Sequence, residues 1–335
     1  MHNRPQVSTI AWISNGGRPR EIAVALEGEA RSFHDLGIVR KPLVPLRYLL
    51  SSIRTLAYLA RRRPRAVVVQ APPVPLALIA WLYGRVSGAP LVVDSHPVAF
   101  AFDGSVFDRL MLPVLKWVMP RAAGCLVTTD ELREQVEEWG GRGFVFHEAP
   151  PEWSGNGPQP DIEPDSVLFV NTFAPDEPLA EVLGAARRLP HVRFRITGDL
   201  RRLSPGVRRL AAGNVEWLGY LTGDSYPGAL RQADVVLTLT DRKESVPRSA
   251  YEAVYAERPL VTTDWPHMAE LFPYAVKVKN NANSIAEGLE RALDSSGELH
   301  AATTAALELQ TARWESQVEH LRSVIFHPKE GIRNE

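Results

Sequence analysis

Short apolar runs alternate with longer segments of helical periodicity along most of the chain. In the first half, runs rich in Val, Ile and Leu predict four strands, over residues 7–13, 65–70, 90–95 and 124–129. In the second half, runs of the same kind predict five more, over residues 166–172, 192–198, 214–219, 233–240 and 258–263. Continuous apolar runs between helices are typical of parallel strands buried on both faces, so the pattern predicts an α/β fold.

One stretch interrupts this alternation. Residues 147–166 contain five prolines and two glycines without apolar periodicity, and a chain of 335 residues is longer than one core usually needs. We therefore expect two Rossmann-like domains facing each other across a cleft, over residues 1–150 and 166–300, joined by a linker over 151–165. We expect a C-terminal helix and tail, over 301–335, to pack back towards the first domain. Ligands of such domain pairs bind at the carboxyl ends of the strands.

Charge is unevenly distributed, although the formal net charge is -1. The first 150 residues carry an excess of basic side chains and the rest an excess of acidic ones, which favours an anionic partner for the first domain. Cys125 is the only cysteine, so the sequence excludes an intrachain disulfide and a cysteine-based zinc site. The longest nearly uncharged stretch, residues 71–84, is shorter than a membrane-spanning helix. We expect a cytoplasmic protein with no nucleic-acid partner.

Two glutamates flank the step from the predicted strand 233–240 to the next helix. The run ESVPRSAYEAV places Glu244 in the strand-to-helix loop and Glu252 in the first turns of the helix. Carboxylates in this place suit a ligand rich in hydroxyls, and a helix N-terminus favours phosphate, so the pair indicates a nucleotide sugar. The alternative is structural, because Ser249 followed three residues later by Glu252 is the pattern of a capping box, with Glu244 as a solvated loop charge.

This arrangement of two glutamates resembles the donor site of the GT-B glycosyltransferases, particularly the family 4 group. The resemblance extends over residues 165–295, through LFVNTFAPDEP, ITGDL, NVEWLGYL, ADVVLTLT and ERPLVTTDW. It implies transfer of a sugar from a nucleotide-diphosphate sugar to a hydroxyl acceptor, such as a polysaccharide, a cell-surface glycan or a lipid-linked intermediate. It favours retention of the anomeric configuration, and no metal or other cofactor is expected, since no Asp-x-Asp pair occurs.

The resemblance also implies roles for individual residues of the second domain. Glu252 is expected to hold the ribose hydroxyls and Glu244 to contact the transferred sugar as a catalytic residue. Ser249, Thr172 and Gly198 complete the expected donor site.

The chain departs from the family pattern at two places. The family often supplies an Arg and a Lys after the first strand of this domain, where this chain has NTFAPDEP, and it tends to have a glycine where Pro247 stands. Arg248 is the expected replacement, because a guanidinium binds phosphate oxygens through two N–H groups.

Five residues of the first domain are further candidates. Gly16 and Gly17 follow the first strand and permit a close backbone approach to the donor. Arg18 or Arg20 is expected to reach the diphosphate. His96 follows the strand 90–95 and resembles histidines that family 4 enzymes place there, in contact with the transferred sugar or the acceptor.

Residues 45–65 combine leucines at helical spacing with a basic end, Arg61, Arg62, Arg63 and Arg65. The segment is suited to lie on an anionic membrane surface, with the apolar face buried and the arginines on headgroups, as a peripheral enzyme with a lipid-linked acceptor would require. The alternative is a core-packed helix whose arginine end is solvated.

Other functions stay open at this point. An inverting transferase would need a carboxylate base, for which Asp94 and Asp103 are the candidates. A non-catalytic GT-B partner protein would explain the departures from the family pattern, and a sugar-nucleotide 2-epimerase would share the architecture without an acceptor. A Rossmann oxidoreductase would need Gly-x-Gly-x-x-Gly after the first strand, which SNGGRPRE does not supply.

Overall fold

The computed structural model describes residues 5–13, 17–34, 44–100, 106–153 and 161–326. The chain divides into two compact units. The first comprises Met1–Ala149 with Trp314–Glu335, and the second comprises Pro150–Arg313.

The first unit is built on a parallel sheet of six strands. The strands are β1 Val7–Ala11, β2 Glu29–Ser32, β3 Ala66–Ala71, β4 Leu91–Ser95, β5 Gly124–Val127 and β6 Gly143–Val145. They lie in the order β2-β1-β3-β4-β5-β6. The helices are α1 Gly17–Ala25, α2 Val44–Arg62, α3 Val74–Ser87, α4 Val106–Val118 and α5 Asp130–Glu138. Every residue of β1, β3, β4 and β5 is buried, as the continuous apolar runs predict.

The second unit is built on a second parallel sheet of six strands. The strands are β7 Glu163–Phe169, β8 Arg193–Thr197, β9 Val215–Gly219, β10 Ala233–Thr238, β11 Leu260–Thr263 and β12 Val276–Val278. They lie in the order β12-β11-β10-β7-β8-β9. The helices are α6 Leu179–Arg188, α7 Pro205–Arg209, α8 Ser225–Gln232, α9 Arg248–Tyr255, α10 Pro266–Leu271, α11 Ala282–Asp294 and α12 Ser296–Phe326. Helix α12 passes from the second unit into the first at Trp314.

Each sheet is covered on both faces. In β3, Val67 and Val69 belong to one apolar cluster and Val68 to another. In β10, Val235 and Val236 are divided between two clusters in the same way. Side chains of a strand alternate between the two faces of its sheet, so both units are doubly wound α/β layers of the Rossmann type.

All nine strands predicted from apolar runs are present, with small differences at their ends. The three strands that the sequence did not indicate, β2, β6 and β12, have only three or four residues each and lie at sheet edges. Strand β7 begins at Glu163, inside the segment expected to be a linker, and α12 begins at Ser296, before the expected start at 301.

Candidate functional site

The loop from β10 to α9 carries the glutamate pair. Helix α9 begins at Arg248, and Pro247 is its N-cap residue, with an extended backbone and no side-chain capping bond. Ser249 is therefore the second residue of the helix, and the capping-box interpretation is wrong. The Ser249 hydroxyl instead bonds the hydroxyl of Thr238, at the end of β10, and both side chains are buried.

Glu252 is held from two sides. Arg248 Nε donates to Glu252 Oε1 at 3.0 Å, and the hydroxyl of Tyr226, in α8, donates to Oε2 at 2.5 Å. The Glu252 side chain is only 13% exposed. Burial, and then the charge of Glu252, raise the pKa of Tyr226 well above its ordinary value, so the phenol stays protonated. A carboxylate has about four acceptor positions, so Glu252 can still accept two hydroxyl groups.

Glu244 lies in the same loop in a different environment. Its side chain is exposed and forms no hydrogen bond or ion pair with any residue that the structure describes. The loop itself is held firmly, because the carbonyl of Thr240 accepts from Trp265 Nε1 at 3.1 Å and from Asn280 Nδ2 at 3.0 Å. His267 Nε2 lies 3.2 Å from the carbonyl oxygen of Ser245. Glu244 is thus an accessible carboxylate on a fixed loop.

The loop after β7 binds a carboxylate of its own. Glu177 accepts from Thr172 N at 2.8 Å, from Ala174 N at 2.9 Å and from Thr172 Oγ1 at 3.0 Å. Phe173 between them has a φ of 58°, in the left-handed region. Successive N–H groups in such a conformation form an anion-binding concavity. The donors of Thr172, expected to face the nucleotide sugar, are therefore engaged with Glu177.

Gly198 has a structural reason to be glycine. Its φ is 132°, and a Cβ placed there would lie 2.6 Å from the ring of Phe173. Both the backbone conformation and the packed ring exclude a side chain. The geometry does not require a ligand at this position.

Arg18, in the first turn of α1, forms its hydrogen bonds with residues of the first unit. Its Nε donates to both carboxylate oxygens of Asp94, at 3.0 and 3.1 Å, and its Nη1 donates to Glu148 Oε1 at 2.9 Å. Its Nη2 donates to the carbonyl of Phe146 at 2.8 Å. Burial lowers the pKa of Arg18, but Asp94 and Glu148 more than offset this, and the net shift is upward. Arg18 could bind the diphosphate only if these bonds broke, so the structure does not favour Arg18 as a donor ligand.

The remaining candidates of the first unit lie near the ends of β1 and β4. His96 follows β4, is half-buried, and its Nε2 contacts the side-chain amide of Gln70. Gly17 is the exposed first residue of α1. Gly16 and Asp103 lie outside the described residues.

Helix α2 exposes a stripe of four apolar side chains. The exposed fractions of Leu46, Leu49, Ile53 and Leu56 are 45%, 57%, 55% and 45%. The opposite side of the helix is buried through Ser51, Thr55 and Leu59, and Thr55 Oγ1 accepts from Trp12 Nε1 at 3.0 Å. The helix therefore packs on the apolar core through Leu59, as the core-packed alternative expects, and it also exposes an apolar stripe.

Both halves of the chain match models of known protein families. Residues 6–144 match the glycosyl transferase 4-like domain, and residues 164–295 match the glycosyl transferases group 1 family. The chain is a glycosyltransferase with a 4-like domain followed by a group 1 domain. A comparison with curated protein sequences returns no match.

Solved structures share the fold of this glycosyltransferase at low sequence identity. A sucrose-phosphate synthase from Thermosynechococcus elongatus is 15% identical, with a TM-score of 0.74 over 95% of this chain and 98% of the other. HepE from Anabaena, in complex with UDP-glucose, is 14% identical, with a TM-score of 0.73 over 95% and 99%. A glycosyltransferase from Rickettsia africae is 12% identical, with a TM-score of 0.72 over 100% of both chains. These likenesses confirm the GT-B fold.

Two residues of the candidate site were not found from the sequence. Tyr226 donates to Glu252 from a different helix. Glu177 accepts from the loop after β7, where the sequence showed only that the family's basic residues are missing. The alternation of polar and apolar residues does not indicate either contact. Within the described ranges, no three His, Cys, Asp or Glu side chains come together as ligands for a metal ion.

Proposed function

We propose that this glycosyltransferase binds a nucleotide-diphosphate sugar in its second unit, at the carboxyl ends of β10 and β11, and transfers the sugar to a hydroxyl acceptor. Glu252 accepts hydrogen bonds from the ribose hydroxyls, and Glu244 contacts the transferred sugar. Arg248 and the N-terminus of α9 face the diphosphate. HepE is solved in complex with UDP-glucose, which makes UDP the first nucleotide to test.

The observation that carries this proposal is the environment of Glu252. It is a nearly buried carboxylate in the first turns of a helix at the carboxyl edge of a parallel sheet, where α/β folds bind their ligands. Two donors hold it and two acceptor positions remain. With the capping role excluded, this preorganised acceptor is suited to a vicinal diol.

Nucleotide binding tests the proposal directly. We would titrate the chain with UDP, GDP and ADP by calorimetry and thermal shift, and repeat the titration with Glu252→Gln. A bound nucleotide stabilises the fold in proportion to RT ln(1 + [L]/Kd), about 2.7 kcal/mol at a hundredfold excess over Kd. We expect one nucleotide to bind and Glu252→Gln to weaken it at least about tenfold.

Glu287→Gln is the matched control, since Glu287 is an exposed glutamate on α11 of the same unit. It should bind nucleotide as the unaltered chain does. The proposal fails if none of the three nucleotides binds, or if Glu252→Gln lowers stability and leaves nucleotide affinity unchanged.

We propose further that transfer retains the anomeric configuration and needs no metal. Asp94, one of the bases that inversion would use, is buried and accepts from Arg18 through both oxygens, so it is poorly placed to deprotonate an acceptor. Arg248 and the N-terminus of α9 supply positive charge for the leaving diphosphate. Proton NMR of the product should show the donor's anomeric configuration, and EDTA should leave the rate unchanged. An inverted product or a loss of activity with EDTA contradicts these two points.

We also propose that α2 docks the enzyme on an anionic membrane surface, where a lipid-linked acceptor would be found. The stripe formed by Leu46, Leu49, Ile53 and Leu56 is exposed, and neither α2 nor α3 contains an acidic residue. Arg54, on the same helix, is exposed as well. Apolar area combined with an excess of positive charge is the combination that binds anionic lipid. Among the described residues, no helix is long and apolar enough to cross the bilayer.

Vesicle sedimentation tests this docking. Binding is expected to vesicles that contain phosphatidylglycerol, to weaken with added salt, and to be absent with phosphatidylcholine alone. The double variant Leu49→Gln with Ile53→Gln should lose binding. Leu309→Gln, at a leucine on α12 that is 63% exposed, should keep it. Equal binding to both kinds of vesicle, or no binding to either, contradicts the proposal.

A further inference from the structure

Among the described residues, Tyr226 is the only one on another helix that forms a hydrogen bond with the Glu252 carboxylate. The O–H···O distance of 2.5 Å lies at the short end of the range for a hydroxyl that donates to a carboxylate, about 2.5–2.7 Å. Arg248, the other partner, lies one turn earlier on α9 itself. A pair four residues apart on one helix does not fix the helix against its neighbours.

The carboxylate needs such a contact because its last torsion is soft. The terminal rotation of a Glu side chain has a broad distribution and no strong rotamer preference. A donor on each oxygen removes this freedom. Tyr226 donates to Oε2 and Arg248 to Oε1, so each oxygen keeps about one acceptor position, and the plane of the group is set.

We infer that Tyr226 is a positioning residue for recognition of the donor ribose, because it orients Glu252 to accept from both the 2′- and the 3′-hydroxyl. The inference rests on the proposed function, in which Glu252 holds the ribose. Burial raises the pKa of Tyr226 well above its ordinary value, so the hydroxyl keeps the proton that it donates to Glu252. A purely structural Tyr226 would join α8 to α9 and take no part in ligand discrimination.

A comparison of two ligands separates these roles. We would measure by calorimetry the affinity for the nucleoside diphosphate that binds, beginning with UDP, and for its 2′,3′-dideoxy analogue. Tyr226→Phe keeps the ring and deletes the hydroxyl. We expect it to weaken the diphosphate about five- to tenfold and to leave the dideoxy analogue unchanged, since the lost orientation matters only to the diol. Tyr274→Phe, which deletes a phenol hydroxyl elsewhere in the same unit, should change neither affinity.

Equal weakening of both ligands, or no weakening of either, overturns the inference. The Glu252→Gln variant distinguishes a failure of this inference about Tyr226 from a failure of the proposed function. If Glu252→Gln removes the preference for the diol and Tyr226→Phe does not, the ribose role of Glu252 stands and Tyr226 is structural. If Glu252→Gln also leaves the preference intact, both proposals fail. Should Tyr226→Phe not fold, Tyr226→His keeps a ring N–H donor, and loss of the diol preference in that variant would also count against the inference.

Discussion

Glu244 and Glu252 have the same side chain and opposite surroundings. Glu252 is nearly buried between Tyr226 and Arg248, and Glu244 is exposed without a bond to the described part of the chain. Replacing Glu244 should therefore cost little stability, within about 0.5 kcal/mol. We predict that Glu244→Gln folds normally, binds nucleoside diphosphate unchanged and lowers the rate of sugar transfer. A combined measurement of unfolding, nucleotide affinity and turnover checks this, and a loss of nucleotide affinity would contradict it.

Cys125 gives a second prediction for a single residue. Burial raises the pKa of its thiol from 9.0 to about 12, and the thiolate is the reactive form. The folded state therefore keeps a proton that the unfolded state loses above pH 9, and stability should fall as pH rises through that region. In the native protein at pH 8, we expect a thiol reagent to react with Cys125 only at the rate of opening. Fast labelling of folded protein would contradict this.

At the residue scale, the sequence indicates the candidate carboxylates and not the residues that hold them. Glu252 was identified by its place between an apolar strand and a helix. Its contact with Tyr226 joins residues 26 positions apart on different helices, so no local pattern shows it. The capping-box alternative failed because Pro247 takes the N-cap position and moves Ser249 inside the helix.

At the scale of elements, the loop after β7 binds a carboxylate of the chain itself. Its N–H groups bind Glu177 where the family often supplies cations for the diphosphate. Charge-assisted bonds to backbone N–H groups are strong, so we predict that Glu177→Gln destabilises the second unit by about 1–3 kcal/mol. Glu216→Gln, at an exposed glutamate of β9, is the control and should cost much less. Chemical denaturation measures both, and equal effects would contradict the anion-binding assignment.

The sequence predicts the positions of the strands far more reliably than it predicts which side of a helix faces the core. The central strands form apolar runs because both faces of each sheet are covered, whereas the edge strands β2, β6 and β12 are too short for such a run. The leucine periodicity of α2 predicted the helix correctly. It could not show that Thr55 and Leu59 face the core while Leu49 and Ile53 face outward.

At the scale of the whole molecule, α12 contributes to two cores. Its residues up to Arg313 belong to the second unit, and Trp314, Leu321 and Ile325 lie in an apolar cluster of the first. We predict that Leu321→Ala destabilises the first unit by about 2–5 kcal/mol, because it removes a buried side chain and leaves a cavity. Labelling of Cys125, in β5 of that unit, reports the opening.

Leu309→Ala provides the comparison, since this leucine lies on the same helix but is 63% exposed. It should leave the labelling of Cys125 unchanged. Similar acceleration by both substitutions would mean that the helix acts through its own stability. If only Leu321→Ala accelerates the labelling of Cys125, the last turns of α12 are a structural part of the first unit, as the packing of their side chains requires.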